Sequence, residues 1–222
     1  MVLRVVAAVV ASWIALGAQP RAVELTAPQL AQALQRKYDG IRDFSADFVH
    51  KYRGGVLKKE ITESGRLLVK KPGKMRWEYK APEPKLFVSD GVKVYSYIPQ
   101  DKQVFVSSMP PGDQLGTPTL FLTGKGNLAR DFTVSLVPPQ TGAAAGTRAL
   151  KLVPKSPQRD YDWLIVEMDP DSLELRGLVT VDAQGGQSSF SFANLKENTG
   201  VADKEFAFTI PRGVDVVTDS PR

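Results

Sequence analysis

Cysteine is absent from all 222 residues, and histidine occurs once, at His50. Without cysteine there is no disulfide, no thiol nucleophile and no thiolate metal site. A lone histidine leaves zinc only carboxylates, which it rarely accepts as a full set. The G-x-S-x-G, S-x-x-K and H-E-x-x-H signatures are missing too. Gly124-Lys125-Gly126 lacks the spacing of a phosphate loop. Long apolar runs are confined to the start: Arg4 precedes 14 uncharged residues from Val5 to Ala18. That run is short for a bilayer span, and small and polar residues follow it. It reads as a secretory signal peptide over residues 1–22, with cleavage expected after Ala18 or Ala22. Residues 23–222 are then a single domain. No cysteine follows the leader, so no lipid anchor is expected on the mature chain.

Charge of one sign is not concentrated. The formal net charge is +5, with short pairs at Lys58–Lys59 and Lys70–Lys71. No dense basic run carries interleaved aromatics, which argues against nucleic acid.

What is present is mostly alternation. Thr26, Pro28 and Gln29 give a capping-box start. Leu30, Ala33, Leu34, Tyr38 and Ile41 follow at helical spacing, and Gly40 marks the end of that helix. Strands are then expected over 44–53, 61–70, 75–79, 86–89, 92–98, 102–107, 132–137, 149–153, 163–168, 173–181, 187–195 and 206–209. Asp90-Gly91 is a hairpin turn. Thr117-Pro118 opens a short helix over TLFL, and residues 138–146 are a mobile loop. One helix before many short strands predicts a mainly antiparallel sheet curved into a barrel or half-barrel, with the helix laid on it.

The stretch MRWEY is the most telling. Met75, Trp77 and Tyr79 alternate with Arg76, Glu78 and Lys80. One face of the strand is large and apolar, and nothing on it can act as acid, base or nucleophile. The acidic pairs Asp160/Asp162 and Asp169/Asp171 are the carboxylate pairs to weigh, since paired carboxylates can cleave glycosides. They stand at strand ends beside turn residues, where aspartate accepts local main-chain hydrogen bonds. His50 reads as an ordinary surface or partly buried imidazole. Binding is favoured over catalysis, and no cofactor or metal is implied.

Several stretches, taken in order, resemble the LolA family of periplasmic lipoprotein carriers: VKKPGKMRWEY, VSDGVKVYSYIPQDKQV, GTPTLFLTG and the closing FTIPRGVDVV. The resemblance implies an unclosed antiparallel barrel with a helical lid over an apolar cavity, and a chaperone rather than an enzyme. It implies acylated lipoproteins as cargo, an ATP-driven (ABC-type) inner-membrane complex as donor and an outer-membrane receptor as acceptor. It places the chain in the periplasm as a monomer. The cavity would be lined by Leu34, Tyr38, Phe44, Phe48, Leu67, Val69, Met75, Trp77, Tyr79, Leu120 and Phe121. Lys71 stands where the family commonly has arginine, as the lid latch; its single ammonium replaces a planar fork. The rival reading is a periplasmic sensor that binds lipid or lipoprotein and regulates a signalling partner.

Overall fold

A computed structural model describes residues 25–54, 59–109, 126–142, 145–158, 161–182 and 184–218. The leader and the expected TLFL helix lie outside these residues. The first helix, α1, runs Ala27–Gly40. The Gln29 side chain accepts from the Thr26 main-chain N–H at 2.9 Å, as the capping pattern predicts. Leu30, Ala31, Leu34 and Tyr38 form its buried stripe.

Twelve strands follow among the described residues. They are β1 (Asp43–Arg53), β2 (Glu60–Lys70), β3 (Lys74–Ala81), β4 (Lys85–Asp90), β5 (Lys93–Ile98) and β6 (Gln103–Ser108), then β7 (Phe132–Val137), β8 (Arg148–Pro154), β9 (Trp163–Met168), β10 (Leu175–Val181), β11 (Gln187–Glu197) and β12 (Asp215–Thr218). They form one sheet in the order β12-β6-β5-β4-β3-β2-β1-β11-β10-β9-β8-β7. The first and last strands in that order do not pair, so the sheet is unclosed. Every neighbouring pair is antiparallel except β12 with β6. Asp90 closes its hairpin by accepting from the N–H groups of Val92 and Lys93 at 2.8 and 2.7 Å.

Alternation sends one set of side chains to the face under α1. Phe44, Ala46 and Phe48 of β1, Leu67 and Val69 of β2, and Met75 and Trp77 of β3 join Leu30, Leu34 and Tyr38 there. Leu150, Leu152, Leu164, Val166 and Leu178 extend the same core across the other half of the sheet.

The opposite face is closed by the end of the chain. A strand was expected at Phe206–Thr209. Instead Asp203–Phe206 is a 3-10 turn and the residues after it join no ladder. The alternation of Phe206 and Phe208 is real, but it serves a strap lying across the strands. Phe206 is 1% exposed, and the Phe208 ring lies 5.4 and 5.6 Å from those of Tyr95 and Tyr97. Asp43 ties the start of this strap down: its carboxylate accepts from the N–H groups of Thr199 and Gly200 at 2.9 and 3.0 Å. Pro211 cannot donate to a ladder, and pairing resumes only at β12.

Three smaller expectations change. Leu173 belongs to a turn, not a strand, with φ 56°. A short helix, α2 (Leu128–Asp131), was not foreseen; Asn127 caps it by accepting from the Arg130 N–H at 2.8 Å. The loop after β7 is held down: the buried Glu167 carboxylate accepts from the N–H groups of Gln140 and Thr141 and from the Thr141 hydroxyl. Gly177 makes room for that clamp, because a Cβ there would lie 2.8 Å from both Glu167 Oε2 and Thr141 Oγ1.

Candidate binding face

The face under α1 is aromatic at its centre. Phe48 meets Trp77 edge-on at 5.0 Å and Tyr79 edge-on at 4.9 Å between ring centroids. Phe190 of β11 lies 5.2 Å from Trp77, and Phe87 of β4 lies 5.6 Å from Tyr79. Such contacts add modestly to the much larger gain from burying the rings. Gly65 makes the arrangement sterically feasible. A Cβ at that position would lie 1.9 Å from the Glu78 carbonyl oxygen and 2.9 Å from the Phe48 ring. The register between β2 and β3 shifts at this glycine.

Of the residues singled out in the sequence, Leu34, Tyr38, Phe44, Phe48, Leu67, Val69, Met75 and Trp77 are buried in one cluster, and Tyr79 packs against it half-buried. Leu120 and Phe121 lie outside the described residues. Phe87, Phe190 and Phe192 were missed. The last two had a signal, the S-F-S-F alternation inside the 187–195 strand.

Polar contacts hold α1 to the sheet at several points. The Arg148 guanidinium donates to the Leu25 carbonyl at 3.0 Å, and the Leu128 N–H donates to the Gln35 side chain at 2.9 Å. Lys37 donates to the Ser172 carbonyl and pairs with Glu197, both at 3.0 Å. At the C-terminal end of the helix the Lys71 ammonium donates to the Tyr38 carbonyl and sits 5.8 Å from the Tyr38 ring centroid. A cation at this end also opposes the negative pole of the helix dipole. Burial pushes the Lys71 ammonium below its ordinary pKa, with Asp39 acting in the other direction. Burial pushes the Tyr38 phenol far above its ordinary value, with Glu197 and Glu174 adding to the shift.

At the far end of the same face the side chains turn polar. His50 stacks on Phe190 at 4.2 Å with the rings 4° from parallel. His50 Nδ1 is 3.2 Å from Glu63 Oε2, and the other Glu63 oxygen accepts from Lys85. Desolvation lowers the His50 pKa from its ordinary value, and the Glu63 hydrogen bond only partly opposes this.

Of the two acidic pairs, Asp169/Asp171 lies wholly among the described residues, and it forms a turn. Asp169 accepts from the Ser172 N–H and hydroxyl, both at 3.0 Å, and these bonds bring its pKa down to about 2. It is a turn residue. Asp160 lies outside the described residues. Among the described residues no three metal-ligating side chains converge.

Residues 39–209 match the family model described as outer membrane lipoprotein carrier protein LolA. The chain belongs to the LolA family. It is 31% identical over 195 residues to the outer-membrane lipoprotein carrier protein of Methylococcus capsulatus, spanning 87% of this chain and 89% of that one. It is 30% identical over 192 residues to the protein of the same name from Chromohalobacter salexigens, spanning 85% and 87%. Among solved structures, an uncharacterized conserved protein from Thermus thermophilus superposes with a TM-score of 0.51 at 15% identity, covering 86% of this chain and 98% of that chain. That last likeness speaks to the fold alone. LolA-family membership makes this a lipoprotein carrier or binder at family level, and the family is one of carriers rather than catalysts.

Proposed function

We propose that this LolA-family chain is a periplasmic chaperone that takes acylated lipoproteins from an ABC-type inner-membrane complex and delivers them to an outer-membrane receptor, acting as a monomer. The observation that carries the reading is the pairing of a continuous aromatic face with a helix held over it by separate polar contacts. Acyl tails would lie against Phe48, Met75, Trp77 and Tyr79 once α1 lifts. Lys71 would be the latch, released when Tyr38 moves away from it.

Energetics favour a covered face. Each buried methylene contributes about 0.8 kcal/mol. Several long chains sinking into a permanently open cavity would bind too tightly to leave. Here the cargo must displace α1, whose own buried Leu30, Leu34 and Tyr38 oppose the exchange. Net affinity is the difference between two apolar burials, so it stays moderate and transfer stays reversible. The sequence carries no nucleotide-binding motif, so the driving energy would come from the donor complex.

The test is release from spheroplasts that retain an acylated lipoprotein. Purified mature protein should bring the acylated cargo into the supernatant as a one-to-one soluble complex, and should form no complex with a counterpart engineered without acyl chains. Absence of acyl-dependent release would overturn the carrier reading.

A further inference from the structure

The charged side chains at the far end of the aromatic face have no role in holding α1. Glu63 and His50 face each other across β1 and β2, and Lys85 reaches Glu63 from β4. All three project on the same side as Phe48 and Tyr79. A polar trio on a face otherwise built from aromatics is costly to desolvate unless it serves a ligand or is fully paired. It is not fully paired: His50 Nε2 is buried and has no hydrogen-bond partner among the described residues. The Glu63 carboxylate accepts, so it fixes the ring proton on Nδ1 and leaves Nε2 with a bare lone pair. The lowered pKa of the ring keeps it neutral and therefore an acceptor. Lys85 keeps further N–H donors beyond the one given to Glu63, and its side chain is 28% exposed at the rim. One end of the trough thus offers an acceptor and a donor side by side.

The position fits an amphipathic ligand. His50 is six residues along β1 from Phe44, about 20 Å at strand spacing. Phe44 pairs with Val69, close to Lys71 and the C-terminal end of α1. Between the two ends the face is apolar. A ligand with long tails and a compact polar head would place its tails along that stretch and its head at His50.

We propose that His50 and Lys85, oriented by Glu63, form a subsite for the amide-and-ester head of an N-acyl, S-diacylglyceryl cysteine. His50 Nε2 accepts from the amide N–H, and the Lys85 ammonium donates to an ester carbonyl. This rests on the carrier reading and adds to it a recognition of the cargo's polar head. Displacement of the aromatic rings by the tails uncovers Nε2. A bilayer phospholipid with two ester-linked chains and no amide would satisfy Lys85 alone.

Three probes separate these contributions: a synthetic triacylated cysteinyl peptide, monomeric short-chain phosphatidylcholine, which has no N–H or O–H donor, and a pyrene-labelled alkane with no polar head. His50→Phe keeps the stack on Phe190 and removes both ring nitrogens; Lys85→Met keeps the stem and removes the donor. Each should weaken the triacylated peptide by roughly five- to tenfold and leave the alkane unchanged. His50→Phe should also leave phosphatidylcholine unchanged. Unaltered peptide affinity in both variants, with the alkane still bound, overturns the subsite and spares the carrier reading. A wild-type protein that binds neither peptide nor alkane overturns both. A loss confined to phosphatidylcholine assigns the subsite to bilayer lipid and overturns the amide role. Should His50→Phe fail to fold, Lys85→Met at the exposed rim decides.

Discussion

The Lys71 ammonium donates to the main-chain carbonyl of Tyr38, so a residue in the β2–β3 turn grips the last turn of α1. The acceptor is main chain, and the side chain at position 38 does not decide whether the bond forms. Lys71→Leu should remove a bond of about 0.5–1.5 kcal/mol and the favourable cation at the helix end. Amide exchange across residues 30–40 should speed up several-fold while exchange in β1 and β2 stays slow. Cargo transfer should change in the same variant without loss of fold. Lys71→Arg should restore slow exchange. Unchanged helix exchange in Lys71→Leu would remove this residue from the closing mechanism.

Gly65 gives a sharper steric test. Alanine there drives a methyl into the Glu78 carbonyl and against Phe48. Gly65→Ala should destabilise the protein by about 1–3 kcal/mol or more, read as a lower urea midpoint. Gly40→Ala is the matched control, since nothing stands within 4 Å of its added carbon. Its midpoint should stay level or rise slightly. Equal midpoints for the two variants would mean that β2 and β3 can move apart freely at the bulge.

His50 predicts a pH dependence. Its folded-state pKa lies below its ordinary value, chiefly through desolvation. As pH falls through about 6.5 the unfolded chain takes up the proton first. The unfolded state then binds more protons, so stability falls with falling pH until the folded ring also titrates. Chemical denaturation at pH 7.5 and 5.5 should show a smaller loss in His50→Gln than in the parent. An equal loss in both would assign the acid sensitivity to other groups.

Asp43 anchors the terminal strap through Thr199 and Gly200. Asp43→Ala leaves these N–H groups without their acceptor and should cost about 1–3 kcal/mol. Limited proteolysis should then cut between residues 198 and 212 before it cuts elsewhere. Uniform cleavage along the chain would argue against a separately tethered strap.

The fold was legible where side chains alternate against a single core. Met75, Trp77 and Tyr79 announced an apolar face from five consecutive residues, and α1 announced its stripe and its cap. The strap was misjudged because Phe206 and Phe208 alternate as strand residues do; local spacing does not reveal whether a ladder partner exists. β12 is short, with all four residues exposed, so it carried no apolar period. The polar end of the aromatic face was illegible for another reason. Glu63 and Lys85 sit far apart in sequence, and only the register of β1 to β4 brings them to His50. Lys71 was singled out through the family resemblance; its spacing alone marks it as a solvated strand end.

The strand order has a bearing on how the chain matures. β1 sits in the middle of the sheet, between β2, its neighbour in sequence, and β11, one of the last strands to be made. Its outer side stays unzipped until residues 187–197 exist, and β3 and β4 lack their contacts with the 203–206 turn until that segment arrives. A nascent chain therefore displays its stickiest surface throughout most of its production. Truncations that spare every residue of the binding face but remove the last twenty or so should accumulate as aggregates rather than as weak binders.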